Sequence, residues 1–282
     1  MSTFDRVLLA TDLTPESDNL TECLFSLCPD TETEVVLAHV FDDDDDADPD
    51  GSKYKKVSSR LEGYKNDLEQ AGYEEISVVT PVGEPFEAIS RTGEDVQADL
   101  IMVASHGKGF IKSAIMGSTT FDLARATNLP LFINKDEDGL CGGHLLDTVM
   151  IPTDFSKKSL SALNIVRGWR EYVGKVIFVH VIERSRSKHD YKEQYANARM
   201  LLQELVDEMK IFGIDADFRI ARGAASKEIA HLVRQEHVNM IMMTKTGAGL
   251  VKGLVIGSTS QNVILNADCS ILLLPAEDNG DE

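Results

Sequence analysis

Gly247-Ala-Gly-Leu-Val-Lys-Gly-Leu-Val-Ile-Gly-Ser-Thr259 has a counterpart 140 residues earlier, Gly107-Lys-Gly-Phe-Ile-Lys-Ser-Ala-Ile-Met-Gly-Ser-Thr119. In each, a glycine is followed by nine residues and then by Gly-Ser-Thr. Each stretch follows a short apolar run, Leu100–Ala104 or Met240–Met243, and precedes a segment with helical spacing. The order is therefore strand, glycine loop, helix. Glycine lets a backbone turn sharply and approach a ligand without a Cβ collision. A Gly-Ser-Thr that opens a helix leaves N–H groups and a hydroxyl to serve a ligand, which is how proteins hold phosphate.

The rest of the chain repeats with the loops. Val7-Leu-Leu-Ala-Thr-Asp12 recurs as Val149-Met-Ile-Pro-Thr-Asp154, and Val35-Val-Leu-Ala-His-Val40 as Val176-Ile-Phe-Val-His-Val181, at offsets between 140 and 142. A unit of that size is a duplicated domain and not a short solenoid repeat. In the first copy the pattern predicts strands near 5–10, 34–40, 75–80, 99–104 and 130–134, and helices near 15–28, 53–71, 85–95 and 118–127. In the second it predicts strands near 147–152, 175–182, 215–221, 239–243 and 270–274, and helices near 157–172, 190–212, 225–236 and 258–266. The strand runs are β-branched and continuous, as strands buried on both faces are. Their alternation with helices implies parallel strands and right-handed crossovers. The expected fold class is α/β: two doubly wound five-stranded domains, 1–135 and 147–276, with a linker at 136–146 and a polar tail at 277–282. The last strand of each copy, Leu131–Asn134 and Ile271–Leu274, is strongly apolar. Such an edge invites pairing, so the two are expected to meet and make a pseudo-dimer within one chain.

Composition narrows the partners. The net charge is −19 and 43% of residues are hydrophobic. That suits a packed core and argues against nucleic acid, whose backbone needs basic patches. No apolar run is long enough to span a membrane. The N-terminus enters an apolar strand directly, without a leader-like region, and cytoplasm is the expected compartment. Cys23, Cys28 and Cys141-Gly-Gly-His144 are spaced like metal ligands, but buried or linker thiols are the simpler reading. Asp42–Asp46, with Asp48 and Asp50, forms an acidic run, read as a solvated loop with cation binding as the sharper alternative.

In open α/β sheets, ligands sit beyond the carboxyl ends of the strands where the strand order reverses. Asp12 and Asp154 end the first strand of each copy and suit a ribose hydroxyl or a metal; each is also placed to cap the following helix. His39 and His180 end the second strand and read as satisfied core or rim residues, and His106 is ambiguous. No Gly-x4-Gly-Lys-Ser/Thr occurs, which excludes a P-loop enzyme. Gly247-Ala-Gly249-x3-Gly253 follows strand four, not strand one, and is a weak dinucleotide signal. No nucleophile–base set recurs in both copies, so no catalytic residue is assigned.

With these motifs in place, the chain resembles a tandem universal stress protein of the UspA-like family over nearly its whole length. That family's nucleotide motif is Gly-x2-Gly-x9-Gly-Ser/Thr. Its second and third glycines and hydroxyl residue correspond to Gly107, Gly117 and Ser118, and to Gly247, Gly257 and Ser258. Its strand-one aspartate corresponds to Asp12 and Asp154, and its adenine-contacting valine to Val40 and Val181. The resemblance implies strand order 3-2-1-4-5 in an adenine nucleotide alpha hydrolase-like fold. It also implies ATP or AMP as ligand, with or without Mg²⁺, and dimer-like pairing through strand five. Both copies depart at the first glycine, which is Ala104 in one and Thr244 in the other.

Charge then separates the copies. The acidic run puts up to seven aspartates near the first crevice, and each opposes a triphosphate. The matching loop, Glu183-Arg-Ser-Arg-Ser-Lys188, is basic and is joined by Lys245 and Lys252. The expected nucleotide site is therefore Asp154, Val181, Thr244, Gly247, Gly257, Ser258 and Thr259. A weaker one lies at Asp12, Val40, Ala104, Gly107, Gly117, Ser118 and Thr119. The expected function is a cytoplasmic, nucleotide-binding stress-response regulator acting on an unknown protein partner, with homodimerisation of the tandem chain as a further possibility. A nucleotide-free interaction scaffold and a slow ATPase are the alternatives.

Overall fold

The computed structural model describes residues 3–43, 47–105, 116–135, 144–157, 159–247 and 256–275. The chain divides into two compact units, Met1–Gly143 and His144–Glu282. The first runs β1 (Arg6–Ala10), α1 (Pro15–Asp18), α2 (Leu20–Leu27), β2 (Glu34–Ala38), α3 (Ser52–Gln70), β3 (Ile76–Val79), α4 (Pro85–Asp95), β4 (Leu100–Ala104), α5 (Ser118–Ala126) and β5 (Leu131–Asn134). The second runs β6 (Thr148–Pro152), α6 (Ala162–Gly168), β7 (Lys175–Ile182), α7 (Lys188–Ile211), β8 (Ala216–Arg222), α8 (Ala225–Gln235), β9 (Met240–Thr244), α9 (Ser258–Asn266) and β10 (Ser270–Leu274).

Within the first unit the strand order is β3-β2-β1-β4-β5, and within the second β8-β7-β6-β9-β10. All these pairings are parallel, with Val7 level with Val35 and Leu100, and Val149 level with Val176 and Met240. The strand order implied by the family resemblance is thus present in each unit. The central strands of each unit are mostly apolar, as strands buried on both faces are: Val7, Leu8 and Leu9 of β1 are fully buried, as are Val149 and Met150 of β6. The long helices bury one stripe each. In α3 this is Val57, Leu61, Tyr64 and Leu68, and in α7 Ala198, Leu202, Leu205, Val206 and Met209, the spacing that keeps residues on one helical face. Both helices end on a glycine at positive φ, Gly72 at 101° and Gly213 at 78°, the left-handed turn that glycine adopts without strain.

Two expected helices are shorter in the structure. The segment read as one helix over 157–172 is helical only at α6, and the 15–28 segment is split into α1 and α2 at Asn19. Local hydroxyls hold the chain in a turn ahead of α6 and tie Ser17 of α1 back to the end of β1. Thr153 Oγ1 and Ser159 Oγ share a hydrogen bond of 2.8 Å, Thr11 Oγ1 and Ser17 Oγ one of 2.9 Å. Phe155 and Leu13 sit at φ of 64° and 63°. Side chains of this kind offer the backbone an alternative to the helix.

Of the acidic run, Asp42, Asp43, Asp48 and Asp50 are described; Asp44–Asp46 lie outside the described residues. Asp48 Oδ1 accepts the Asp50 N–H at 3.1 Å, a local turn ahead of α3. Cys23 and Cys28 are buried core thiols, and burial pushes the Cys28 thiol up to about 12. Cys141 lies outside the described residues, and His144 Nδ1 hydrogen-bonds Asp147 Oδ2 at 2.8 Å. No described helix is long and apolar enough to cross a membrane.

Candidate functional site

Strand order creates the site. β1 lies between β2 and β4, and β6 between β7 and β9. The chain therefore leaves each central strand in opposite directions, and the loops beyond the carboxyl ends part to leave a crevice.

In the second unit that crevice has a volume of about 590 Å³. Asp154 stands just past β6. Its Oδ1 accepts the Ser156 N–H at 3.0 Å and the Ser156 hydroxyl at 2.6 Å. Its Oδ2 faces Gly247, where an added Cβ would collide with Oδ2 and lie 3.3 Å from Cγ. Only glycine admits this approach. The Gly257 N–H donates to the Lys245 carbonyl at 2.8 Å, and the Ser260 hydroxyl to the Thr244 carbonyl at 2.9 Å. These two bonds seat the start of α9 against the end of β9. Asp154, Val181, Thr244, Gly247, Gly257, Ser258 and Thr259 all line the one crevice.

The first unit repeats the arrangement in about 370 Å³. Asp12 Oδ1 accepts the Thr14 N–H at 3.1 Å and its hydroxyl at 2.6 Å. The Gly117 N–H donates to the Ser105 carbonyl at 2.9 Å, and the Thr120 hydroxyl to the Ala104 carbonyl at 2.8 Å. Asp12, Val40, Ala104, Gly117, Ser118 and Thr119 line this crevice. Gly107, His106, Lys112 and Lys252 lie outside the described residues. The strand-two histidines pin adjacent strand ends: His39 Nδ1 bonds the Thr11 carbonyl at 2.8 Å, and His180 Nδ1 the Thr153 carbonyl at 2.9 Å. They are satisfied rim residues.

The sequence profile of the Universal stress protein family matches residues 3–135 and again residues 146–275. The chain belongs to the universal stress protein family, as a tandem pair. Universal stress protein MJ0577 of Methanocaldococcus jannaschii is 31% identical over 81 residues, 29% of this chain and 49% of that protein. The chain thus matches about half the length of that relative. A universal stress protein from Archaeoglobus fulgidus DSM 4304 shares the fold at a TM-score of 0.73 and 23% identity, covering 98% of each chain. A universal stress protein solved in complex with cAMP covers 46% of this chain, and 95% of its own, at 20% identity and a TM-score of 0.36.

The two universal stress protein units are alike in backbone and unlike in lining. In the second, Glu183 reaches the crevice and its Oε1 accepts the Ala225 N–H at 2.9 Å, at the start of α8. The matching position in the first unit is Pro85, which has no N–H to offer, and there Asp42 lines the crevice beside the exposed Lys53. Of the basic loop of the second unit, Arg184, Arg186 and Lys188 do not line the crevice. Arg222 stacks over Tyr191 at 4.7 Å and donates to the Ser185 hydroxyl at 3.1 Å. Lys245 is buried at 5% exposure, and burial pushes its ammonium down to about 8. The Thr244 hydroxyl, at the motif's departure from glycine, donates to the Thr246 carbonyl at 3.0 Å. Thr244 is thereby turned back into its own loop.

Sequence reasoning missed Glu183 as a lining carboxylate, Lys53, and the hydroxyl pairs behind each aspartate. The pairs were readable. Thr11-Asp12-x-Thr14-x2-Ser17 and Thr153-Asp154-x-Ser156-x2-Ser159 place hydroxyls at the same offsets in both copies.

Proposed function

We propose that this protein is an adenine-nucleotide-binding regulator of the cytoplasmic stress response, and that its second unit is the working site. The observation that carries the reading is the meeting of Asp154 and Gly247 in one crevice with the start of α9. Adenine lies near Val181, the ribose hydroxyls near Asp154, and the phosphates on Gly247, Gly257, Ser258 and Thr259. A carboxylate accepts hydroxyl donors, whereas glycine N–H groups and a helix N-terminus favour anions. The volume of about 590 Å³ falls within the range of small-ligand pockets and exceeds the about 370 Å³ of the first unit. AMP or ATP satisfies this chemistry. A triphosphate brings Mg²⁺, for which Asp154 is the candidate carboxylate. Occupancy regulates a protein partner only if the nucleotide prefers one conformation of the chain.

One observation favours the rival reading of a nucleotide-free scaffold: Asp12 and Asp154 both commit Oδ1 to their own loops, as a plain turn cap does. Denaturing freshly purified protein and identifying released nucleotide by chromatography and mass separates the two. About one AMP or ATP per chain supports one working site. Two per chain overturn the preference for the second unit. None, together with no thermal shift in millimolar ATP and Mg²⁺, overturns nucleotide binding, because a ligand of the native state must stabilise it.

A further inference from the structure

Thr246 departs from the hydrogen-bonding pattern of the second crevice. It follows β9, lines the crevice, and is only 4% exposed. Its Oγ1 is buried and has no hydrogen-bond partner among the described residues. The other buried hydroxyls of that wall are engaged: Thr153 with Ser159 at 2.8 Å, Ser260 with the Thr244 carbonyl at 2.9 Å, and Thr244 with the Thr246 carbonyl at 3.0 Å. A buried hydroxyl without a partner has lost its water and gained nothing in return. Valine has nearly the same shape and no such cost, so among the described residues nothing draws stability from this oxygen.

Its neighbours indicate what it serves. Gly247 follows it and abuts Asp154 Oδ2. Ser258 and Thr259, on the same crevice, begin α9, whose first N–H groups have no intrahelical acceptor. Asp154 repels an anion and attracts hydroxyl donors; the helix start does the reverse. Thr246 Oγ1 carries a proton that can be donated to an anionic oxygen. We propose that Thr246 donates a hydrogen bond to a phosphate oxygen of the nucleotide held in the second crevice, and that it makes this crevice select phosphorylated nucleosides over bare ones. The proposal rests on the nucleotide reading above. In the first unit the matching position in sequence is His106, which lies outside the described residues.

The test uses the full chain with Thr246→Val and Thr246→Ser, titrated calorimetrically with AMP, ATP and adenosine. Unfolding in urea without nucleotide is followed in parallel through Trp169, the single tryptophan, buried in the second unit. The valine variant is expected to lose about tenfold to a hundredfold in affinity for AMP and ATP, the range for removing a hydrogen bond to a charged group. Its adenosine affinity should be unchanged and its nucleotide-free stability equal to or above wild type. The serine variant should keep phosphate affinity within about threefold, because it keeps the donor. Wild-type AMP affinity in the valine variant overturns the proposal. So does an equal loss for adenosine, which assigns the contact to the nucleoside, or a clear loss of nucleotide-free stability, which gives the hydroxyl to the fold. A wild-type chain that binds none of the three ligands overturns nucleotide binding itself, a result visible before any variant is measured.

Discussion

Gly247→Ala tests the meeting of Asp154 and Gly247 without reference to any ligand. Gly247 is not at positive φ among the described residues, so the added methyl brings no backbone strain. Its cost is the collision with Asp154 Oδ2, whose Cγ would lie 3.3 Å from the new Cβ. The carboxylate cannot simply swing away, since Oδ1 is held by the N–H and hydroxyl of Ser156 at 3.0 and 2.6 Å. Forced overpacking of this kind costs about 1–3 kcal/mol. In an Asp154→Ala background the obstacle is gone. The same Gly247→Ala change should then be neutral or stabilising by about 0.4–1 kcal/mol, through reduced freedom of the unfolded chain. The double-mutant cycle is thus expected to show a coupling of roughly 1.5 kcal/mol or more. Urea unfolding followed by Trp169 fluorescence reads it, since that buried indole reports the second unit. Additive effects, within about 0.3–0.5 kcal/mol, would refute the contact and with it the convergence of strand one and the glycine loop on one crevice.

Three further outcomes follow from the same structure. Lys245 has an ordinary pKa of 10.5, lowered by burial to about 8. Between these values the unfolded chain binds more protons, so stability should rise with pH there, with the full burial cost present below about pH 8. Lys245→Met is therefore expected to remove this pH dependence, so that the stability of the variant relative to wild type falls between about pH 8 and 10.5; a pH-independent difference in urea midpoint would contradict this. Gly257→Val places a branched side chain where even a Cβ lies 3.3 Å from the Lys245 carbonyl, at the helix start assigned to phosphate. It should abolish nucleotide retention with Trp169 emission still native, and retained AMP in the purified variant would count against the site. Arg219 on the edge strand β8 donates to Glu236 at 2.6 and 2.9 Å and to Asp217 at 2.7 Å, with its side chain 31% exposed. Arg219→Ala should cost about 1 kcal/mol, less in high salt, and a salt-independent loss would mean that packing of the side chain, not its charge, dominates.

Much of the fold was legible in the sequence because it is written in local periodicity and in repetition. Continuous β-branched runs, helical stripes and a glycine loop found twice at one offset fix strand count, strand direction and the duplicated α/β class. The family's site positions could be marked as well, since they follow a spacing along the chain. What the spacing does not carry is side-chain encounter. Asp154 and Gly247 are far apart in sequence and touch only because β6 and β9 are neighbours. The helices near 15–28 and 157–172 look continuous from their apolar spacing, yet the first is split at Asn19 and a hydroxyl pair holds the chain in a turn ahead of the shorter α6. Formal charge also misled: the loop after β7 is basic in sequence, but Glu183 is the side chain it turns toward the crevice. The unpartnered hydroxyl of Thr246 has no sequence signature, because only tertiary packing decides which threonine finds a partner. The sequence by itself determined the scaffold and the location of its two loops, through short-range pattern. The tertiary structure alone decided which charges and hydroxyls face each crevice, because burial and contact depend on residues brought together from distant strands.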